Sequence, residues 1–293
     1  MQELVGYIGQ DQERKRLMVT IYDWFGCELP NKERFQLVKE AGFDGVLLWW
    51  SDGFGRDCFG QNDYRNGPQF ARDAGLFIEN IHAPIHHQND LWLDNLDGET
   101  VTDCYLQCVA DCAEFEIPTM VVHLPNEDYP CNTMGLDRMK KIAEKAERLG
   151  VNVALENLRN LSNLSDVMKH VDSLRIGFCY DNGHHYRHYP DNDLLSMYGS
   201  RLMALHLHDN NGSHAQHGLP FDGTIDWSTV MRKIAETEYS GATAIEAMNW
   251  DYKDLTASEF LHRAFVQAKR LEALQRSNYV DLIVSDDQSL IVN

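Results

Sequence analysis

The 293-residue chain has few basic residues and no long apolar run. It carries 26 Lys and Arg against 45 Asp and Glu, which gives a formal net charge of −19. Nucleic acids and anionic membranes bind proteins through concentrated Lys and Arg, so this charge disfavours both as partners. Nowhere do about 18 apolar residues follow one another, as a membrane-spanning helix requires. The N-terminus also lacks the apolar core of a signal peptide, and we therefore expect a cytoplasmic protein.

The seven cysteines include no CxxC pair. An odd number of cysteines without such pairs argues against a disulfide framework. Cys104, Cys108 and Cys112 recur every four residues and would form one stripe of a helix, where packing as small hydrophobic residues is expected. Hydrophobic residues make up 43% of the chain, which is enough for a sizeable core.

Eight apolar segments alternate with eight helical patterns. The predicted strands are 16–24, 45–51, 76–84, 119–125, 151–157, 176–183, 202–209 and 242–248. The predicted helices are 31–41, 66–74, 99–115, 136–149, 162–173, 191–200, 226–238 and 256–275. Such units, joined by right-handed crossovers, close into a (β/α)8 TIM barrel of the α/β class, for which about 250 residues are typical. We predict a barrel over 16–275, preceded by an N-terminal extension of residues 1–15.

The remaining residues, 276–293, form a C-terminal tail that a barrel does not require. Its runs YVDLIV (279–284) and SLIV (289–292) are rich in β-branched residues and flank a polar, turn-like segment, which predicts a β-hairpin. An isolated hairpin is only marginally stable, so we expect it to pack on the barrel or to pair with a second subunit in a homodimer. The alternative is a frayed tail.

Four predicted strands end in a residue that can bind a metal ion, at spacings of 25, 25 and 40 residues. These residues are Glu156, Asp181, His206 and Glu246. Side chains alternate along a strand, and the face that carries these four is otherwise small: Asn152, Ala154, Gly177, Cys179, Ala204, Ala242 and Ala244. One such carboxylate alone is more often a solvated loop residue. Four on the same face favour a metal site, because buried carboxylates need a cation to neutralise them.

The segments LEN, DNGHH, HLHD and IEA resemble the metal-site signatures of the xylose isomerase-like barrels. These sugar phosphate isomerases and epimerases form a superfamily that also contains the class II AP endonucleases typified by endonuclease IV. The resemblance covers about residues 16–275, and HGLPFDGTIDW (217–227) matches the loop after strand seven in many members. It implies that the four strand-end residues bind one divalent ion, which would be Mn, Zn, Mg or Co. His206 is preferred to His208 because the family's ligand precedes an acidic residue, here Asp209, by three positions.

Further histidines match the family pattern. His184 corresponds to an imidazole three residues after the aspartate, and His82 and His123 correspond to histidines at the ends of strands three and four. A lone core-facing histidine is more often structural than functional, but three on one rim of an acidic site favour function. Together with His217, His82 and His123 are candidates for binding a second ion or the substrate.

The resemblance implies an isomerase or epimerase that acts on a sugar, a sugar phosphate or a related polyol or keto compound. The ion would polarise the carbonyl of this small carbohydrate-like substrate and stabilise an enediolate. Glu156 and Glu246 would remove and return the proton, and His184 would hydrogen-bond the developing oxyanion. The residues expected to contact the substrate are Trp24, Trp49, Trp50, His208 and Trp250.

Two departures from the family pattern limit this interpretation. Free ketohexose 3-epimerases usually have an arginine six residues after the metal histidine, and this chain has Gly212 there, which argues against that specific activity. The rival function is a phosphodiester hydrolase of the endonuclease IV type with three zinc ions. Its extra aspartate, two residues before the last histidine, is replaced by Ala215, and the negative net charge also disfavours DNA. A third alternative, a metal-binding barrel without catalysis, is disfavoured by the presence of both glutamates.

Overall fold

Eight parallel strands form a nearly closed barrel in a computed structural model that describes residues 17–50, 64–126 and 128–289, with side chains up to residue 278. The strand order is β7-β6-β5-β4-β3-β2-β1-β8, and one bridge between Leu207 and Ile245 joins the two end strands. The strands are β1 Val19–Tyr22, β2 Gly45–Trp49, β3 Phe77–His82, β4 Thr119–Val122, β5 Asn152–Glu156, β6 Ile176–Asp181, β7 Leu202–His206 and β8 Thr243–Ile245. The predicted (β/α)8 fold is confirmed.

Helices occupy the connections between the strands. They are α1 Asn31–Ala41, α2 Gly67–Asp73, α3 Leu96–Glu114, α4 Thr133–Leu149, α5 Leu161–His170, α6 Asn182–His188, α7 Leu194–Tyr198, α8 Trp227–Ala235 and α9 Ala257–Ser289. Helix α6 was not predicted. It follows β6 without a loop, because the side chain of Asp181 accepts a hydrogen bond from the backbone N–H of His184 and so caps the helix. None of the helices in the described ranges is long and apolar enough to cross a membrane.

Two predicted helix boundaries are confirmed by their hydrogen bonds. Helix α4 ends at Leu149, and the following Gly150, whose φ of 74° is the left-handed conformation that glycine adopts readily, donates its backbone N–H to the carbonyl oxygen of Ala146. Helix α9 begins with a capping box, in which the backbone N–H of Thr256 donates to Glu259 Oε2 (2.9 Å) and the backbone N–H of Glu259 donates to Thr256 Oγ1 (3.3 Å).

The barrel interior is built from small side chains, as the alternation along the strands predicts. Val121, Ala154, Cys179 and Ala204 form a buried cluster that is separate from the core between strands and helices. Met203 also packs against this cluster, although the alternation assigns it to the outer face. A register shift between β6 and β7 accounts for the difference. A Cβ on Gly177 would lie 2.3 Å from Met203 Sδ, so the methionine occupies space that only a glycine leaves open.

The prediction of a C-terminal β-hairpin is wrong. Helix α9 continues through residues 279–284 to Ser289, so the barrel's last helix extends beyond the predicted limit of residue 275. The first half of the helix is anchored by buried residues such as Phe260, Leu261 and Leu271. Extending an anchored helix adds one hydrogen bond per residue, whereas a new hairpin must be nucleated, and this outweighs a local β-propensity. Residues 1–15 and 290–292 lie outside the described residues.

Candidate metal centre

The four predicted ligands converge at the carboxyl ends of neighbouring strands. Glu156, Asp181 and His206 are the last residues of β5, β6 and β7, and Glu246 directly follows β8. All four are buried, and they offer one ligand atom each within 4.8 Å of one another. Catalytic and ligand-binding residues of TIM barrels lie at this face of the fold. The structure therefore brings together the complete ligand set predicted from the sequence.

Two asparagines, which the sequence analysis did not single out, hold these strand ends in place. Asn157 Nδ2 donates to the carbonyl oxygen of Asp181 (2.8 Å), and Asn157 Oδ1 accepts from the backbone N–H of the same residue (2.9 Å). Asn182 makes the same pair of bonds with His208, at 3.1 and 3.0 Å. Each asparagine directly follows a ligand, in LEN and in YDN. This position directly after a candidate ligand was the sequence signal that could have identified the two asparagines.

Asp209 organises the loop between β7 and α8. Its carboxylate accepts hydrogen bonds from Trp227 Nε1 (2.7 Å) and from the backbone N–H groups of Phe221 (2.9 Å) and Ile225 (3.3 Å). The loop carries His217, whose φ of 47° is unusual for a residue other than glycine. Asp209 thus positions this loop. From the sequence, only its spacing of three residues from His206 was informative.

His206 lies between the two glutamates. Its Nδ1 is 3.1 Å from Glu156 Oε2 and 3.4 Å from Glu246 Oε2. Both ring nitrogens are buried without a hydrogen-bond partner of good geometry in the described part of the chain. One buried ring nitrogen each of His184, His208 and His217 is in the same situation. Buried polar atoms normally have a partner, so this concentration of unpaired imidazole nitrogens beside carboxylates fits a bound cation.

A second group of ligand atoms adjoins the first. Nδ1 of His82 lies 2.8 Å from the carbonyl oxygen of Ala83, and Nδ1 of His123 lies 3.1 Å from Gln88 Oε1. These acceptors assign the proton to Nδ1 in both rings and leave a lone pair on each Nε2. The two Nε2 atoms are 3.2 Å apart, and each lies 3.2–3.4 Å from Glu156 Oε2. Three atoms with lone pairs at such distances repel one another unless a metal ion or a proton lies between them.

The remaining histidines lie around Asp181. Nε2 of His208 is 3.2 Å from the Asp181 carboxylate, and the His217 ring stacks on His208 with centroids 4.0 Å apart. Nε2 of His184 is 3.7 Å from Asp181 and 3.8 Å from Glu156. The predicted substrate contact of His208 is not supported, because this ring is fully buried among the ligand atoms. A Cβ on Gly183 would lie 2.0 Å from the His208 ring, which explains the glycine in DNGHH.

Burial and charge shift the protonation of the cluster. Burial raises the pKa of Glu246 to about 7, although His206 opposes the shift. Burial also disfavours the charged form of Glu156, but His123 and His206 outweigh this effect and hold the pKa of Glu156 well below its usual value. Burial lowers the pKa of His82, and burial together with His208 lowers the pKa of His217 to about 3. Both imidazoles are therefore neutral near pH 7, which is the form that binds metals.

A cavity of about 220 Å³ lies over the ligands and has an aromatic wall. Trp24, Trp49 and Trp250, three of the predicted substrate contacts, line it together with Tyr22. Glu156, Glu246, His82, His123, His184 and His217 also reach this cavity. Its volume suits a molecule smaller than the usual drug-sized ligand.

Trp50 does not reach the cavity, which corrects its prediction as a substrate contact. Its Nε1 donates to Asp111 Oδ2 of α3 (3.0 Å), and its ring packs against Tyr64 and Phe115. Neighbouring residues at a strand end point to opposite sides. Because Trp49 faces the cavity, Trp50 must face the helices.

A family model described as "Xylose isomerase-like TIM barrel" matches residues 35–264. The chain belongs to this family. Its relatives include the uncharacterized protein y4fM of Sinorhizobium fredii, 39% identical over 103 residues, which are 35% of this chain and 33% of the relative. The uncharacterized protein MJ1311 of Methanocaldococcus jannaschii is 24% identical over 207 residues, which are 64% of this chain and 69% of the relative. The chain thus spans about a third of the first relative.

Solved structures share the barrel fold at low sequence identity. A xylose isomerase-like TIM barrel/4-hydroxyphenylpyruvate dioxygenase fusion protein has a TM-score of 0.70 and 16% identity, and the match covers 91% of this chain and 44% of that one. D-psicose 3-epimerase from Clostridium cellulolyticum H10, solved with D-tagatose, has a TM-score of 0.69 and 15% identity over 88% and 99% of the chains. The IOLI protein with a bound zinc atom has a TM-score of 0.68 and 15% identity over 89% and 99%.

Proposed function

We propose that this xylose isomerase-like barrel is a divalent-metal-dependent isomerase or epimerase. Its substrate is a small sugar, sugar phosphate or related polyol or keto compound, and the reaction is proton transfer beside a carbonyl through an enediolate. The observation that carries the proposal is the pair of buried glutamates, Glu156 and Glu246, on either side of His206 beneath an aromatic cavity. The similar structures of a D-psicose 3-epimerase with D-tagatose and of the IOLI protein with a bound zinc atom support the proposal.

Glu156, Asp181, His206 and Glu246 would hold the ion. Three carboxylates and one imidazole suit Mn, Zn, Mg or Co, and the unpaired nitrogens of His206 fit such an ion. A bound divalent ion supplies Lewis-acid polarisation of a carbonyl and stabilises negative charge on oxygen. We propose a second ion at His82, His123 and Glu156, supported by the three mutually close acceptor atoms there.

The chain's own groups carry the proton transfer. Glu156 and Glu246 come from strands three apart around the barrel, and both border the cavity. One glutamate removes the proton from the carbon next to the carbonyl, and the other returns a proton to the substrate. His184, which also borders the cavity, donates a hydrogen bond to the oxygen on which charge develops. The three tryptophans that line the cavity, Trp24, Trp49 and Trp250, exclude water and pack against the apolar face of the sugar.

The test compares the wild type with Glu246→Gln after metal content has been measured in both. We expect kcat to fall at least 100-fold with a much smaller change in substrate binding, since the variant keeps the shape of the site and loses the acid–base group. In deuterium oxide the wild type should place deuterium on the carbon next to the carbonyl. Full activity of a metal-loaded Glu246→Gln protein would refute the mechanism.

A second candidate function is phosphodiester hydrolysis of the endonuclease IV type. The His82, His123 and Glu156 group favours it, because such a hydrolase uses several zinc ions. The net charge of −19 and Ala215 weigh against it. Cleavage of DNA that contains abasic sites by the zinc-loaded protein would support this alternative, and absence of cleavage beside turnover of a sugar would exclude it.

A further inference from the structure

A second cavity of about 380 Å³ adjoins the metal centre. The loops after β3, β4 and β5 and the first turn of α6 form it, and we call it the side cavity. Its wall includes His87, Asn89 and Arg159. His123 and His184 line both the side cavity and the cavity over the ligands. Since these two rings lie within 3.2–3.8 Å of Glu156, the side cavity opens directly beside the ligand cluster.

The charge of the side cavity is opposite to that of the chain. The chain has 45 acidic and 26 basic residues, yet no Asp or Glu in the described ranges lines this cavity. Arg159 is exposed and makes no side-chain hydrogen bond or ion pair with any described residue. Asp90, which lies beside the wall, is already paired with His87 Nδ1 (3.0 Å). An arginine without an acidic partner in so acidic a protein marks a place for an external anion.

Hydrogen bonds fix the polar wall around this arginine. Gln88 accepts from His123 Nδ1 (3.1 Å) and donates through Nε2 to Asn126 Oδ1 (3.4 Å). The backbone N–H of Asn126 donates to Asn89 Oδ1 (2.8 Å). The wall therefore does not need to reorganise when a ligand enters, which lowers the entropic cost of binding. Gln88 also joins this wall to His123 of the metal centre.

We propose that the side cavity binds a terminal anionic group of the substrate, a phosphate or a carboxylate, with Arg159 as its main partner. The inference rests on the proposed function, because it places the carbonyl end of the same substrate over Glu156 and Glu246. Phosphates and carboxylates offer only acceptors, and they match a wall of guanidinium, imidazole and amide groups. Neutral sugars also carry hydroxyl donors, for which the described residues of this wall offer no carboxylate. Arg159 thus selects an acidic sugar derivative over the neutral sugar.

The experiment measures turnover by the metal-loaded protein of pentoses and hexoses, their monophosphates and the corresponding sugar acids. Arg159→Gln is compared with Arg148→Gln, which removes the same charge from the exposed last turn of α4, and with Arg159→Lys. We expect the phosphates or the acids to be preferred, and the preferred set identifies the anionic group. Arg159→Gln should raise KM for that set about 10- to 100-fold with little change in kcat, since hydrogen bonds to charged groups contribute this much. Arg159→Lys should recover part of the loss, and Arg148→Gln should match the wild type.

Equal turnover of neutral and anionic sugars, with the same KM in Arg159→Gln, would overturn the inference and leave the proposed function intact. If no compound is turned over, the proposed function fails, and the inference is judged by calorimetric titration with inorganic phosphate at low ionic strength. Phosphate binding that is lost in Arg159→Gln and retained in Arg148→Gln would uphold the anion site. Equal phosphate binding by the wild type, Arg159→Gln and Arg148→Gln would overturn it.

Discussion

The two ends of the barrel surround a glutamate with different partners: Glu79 is partly buried and Glu156 is buried. Near the N-terminal strand ends, Glu79 accepts hydrogen bonds from Thr20 Oγ1 (2.6 Å), Tyr239 Oη (3.1 Å) and the backbone N–H of Ala242 (3.1 Å). Near the C-terminal strand ends, Glu156 faces the ring nitrogens of His82, His123 and His206. Three neutral groups donate to the first carboxylate, although burial still raises the pKa of Glu79. The second lies among imidazole nitrogens, of which Nε2 of His82 and of His123 can share a lone pair with a metal ion, and this difference separates a structural carboxylate from a ligand.

The largest expected effect comes from changing each glutamate in turn. Glu156→Gln should weaken binding of the divalent ion at least 100-fold, because Glu156 belongs to both ligand groups. Glu79→Gln is the matched control. It should retain the ion and lose about 1–3 kcal/mol of unfolding free energy through weaker hydrogen bonds. Metal analysis after dialysis and chemical denaturation measure the two effects, and equal metal loss in both variants would remove the distinction between the two ends.

Asp23 sharpens the comparison, because this buried carboxylate has an arginine as its partner, in addition to a backbone N–H. It accepts from the backbone N–H of Trp49 (2.7 Å) and lies 3.6 Å from the buried Arg34. Burial still raises the pKa of Asp23 to about 6, although Arg34 opposes the shift. A raised carboxyl pKa gives stability that is present below the unfolded pKa of about 4 and is lost as pH rises through 6.

The stability advantage of the wild type over Asp23→Asn should therefore fall as pH rises from 4 to 7, by on the order of 3 kcal/mol. Denaturant unfolding of both proteins at several pH values measures it. A difference that stays constant across this range would mean that Arg34 fully compensates the buried charge.

The smallest expected effect concerns the asparagines that brace the strand ends. Asn157→Ala removes both hydrogen bonds to Asp181 and leaves every ligand in place. We expect metal affinity to fall about 10-fold, at the lower end of the range for groups that orient ligands. Competition with a chelator of known affinity measures this change. An unchanged affinity would show that the sheet alone positions Asp181.

Repeating local patterns predict the barrel and place the candidate ligands on one face, whereas the choice of His206 over His208 depends on the family resemblance. Each ligand ends a strand, and alternation along the strand is enough to place Glu156 and His206 on the inner face. The same rule, applied to the neighbours Trp49 and Trp50, excludes one of them from the site. The prediction of both as substrate contacts neglected this rule.

What the sequence does not predict depends on contacts between distant segments. The reciprocal bonds of Asn182 with His208 span 26 residues, and although the position of Asn182 after Asp181 draws attention to it, no local pattern indicates its partner. The stacking of His217 on His208 requires a loop shape that Asp209 imposes through backbone groups. The continuation of α9 beyond residue 278 is likewise decided by the helix before it and not by the β-branched residues themselves.

Anomalous X-ray scattering from crystals grown with Mn or Zn tests the central claim most directly. The account predicts an anomalous peak with Glu156, Asp181, His206 and Glu246 all within about 2.0–2.5 Å of the ion. A second peak between His82, His123 and Glu156 would establish the second ion. Absence of any peak at the four strand ends, or a His206 ring turned toward the helices in crystals with Mn or Zn bound elsewhere, would contradict it.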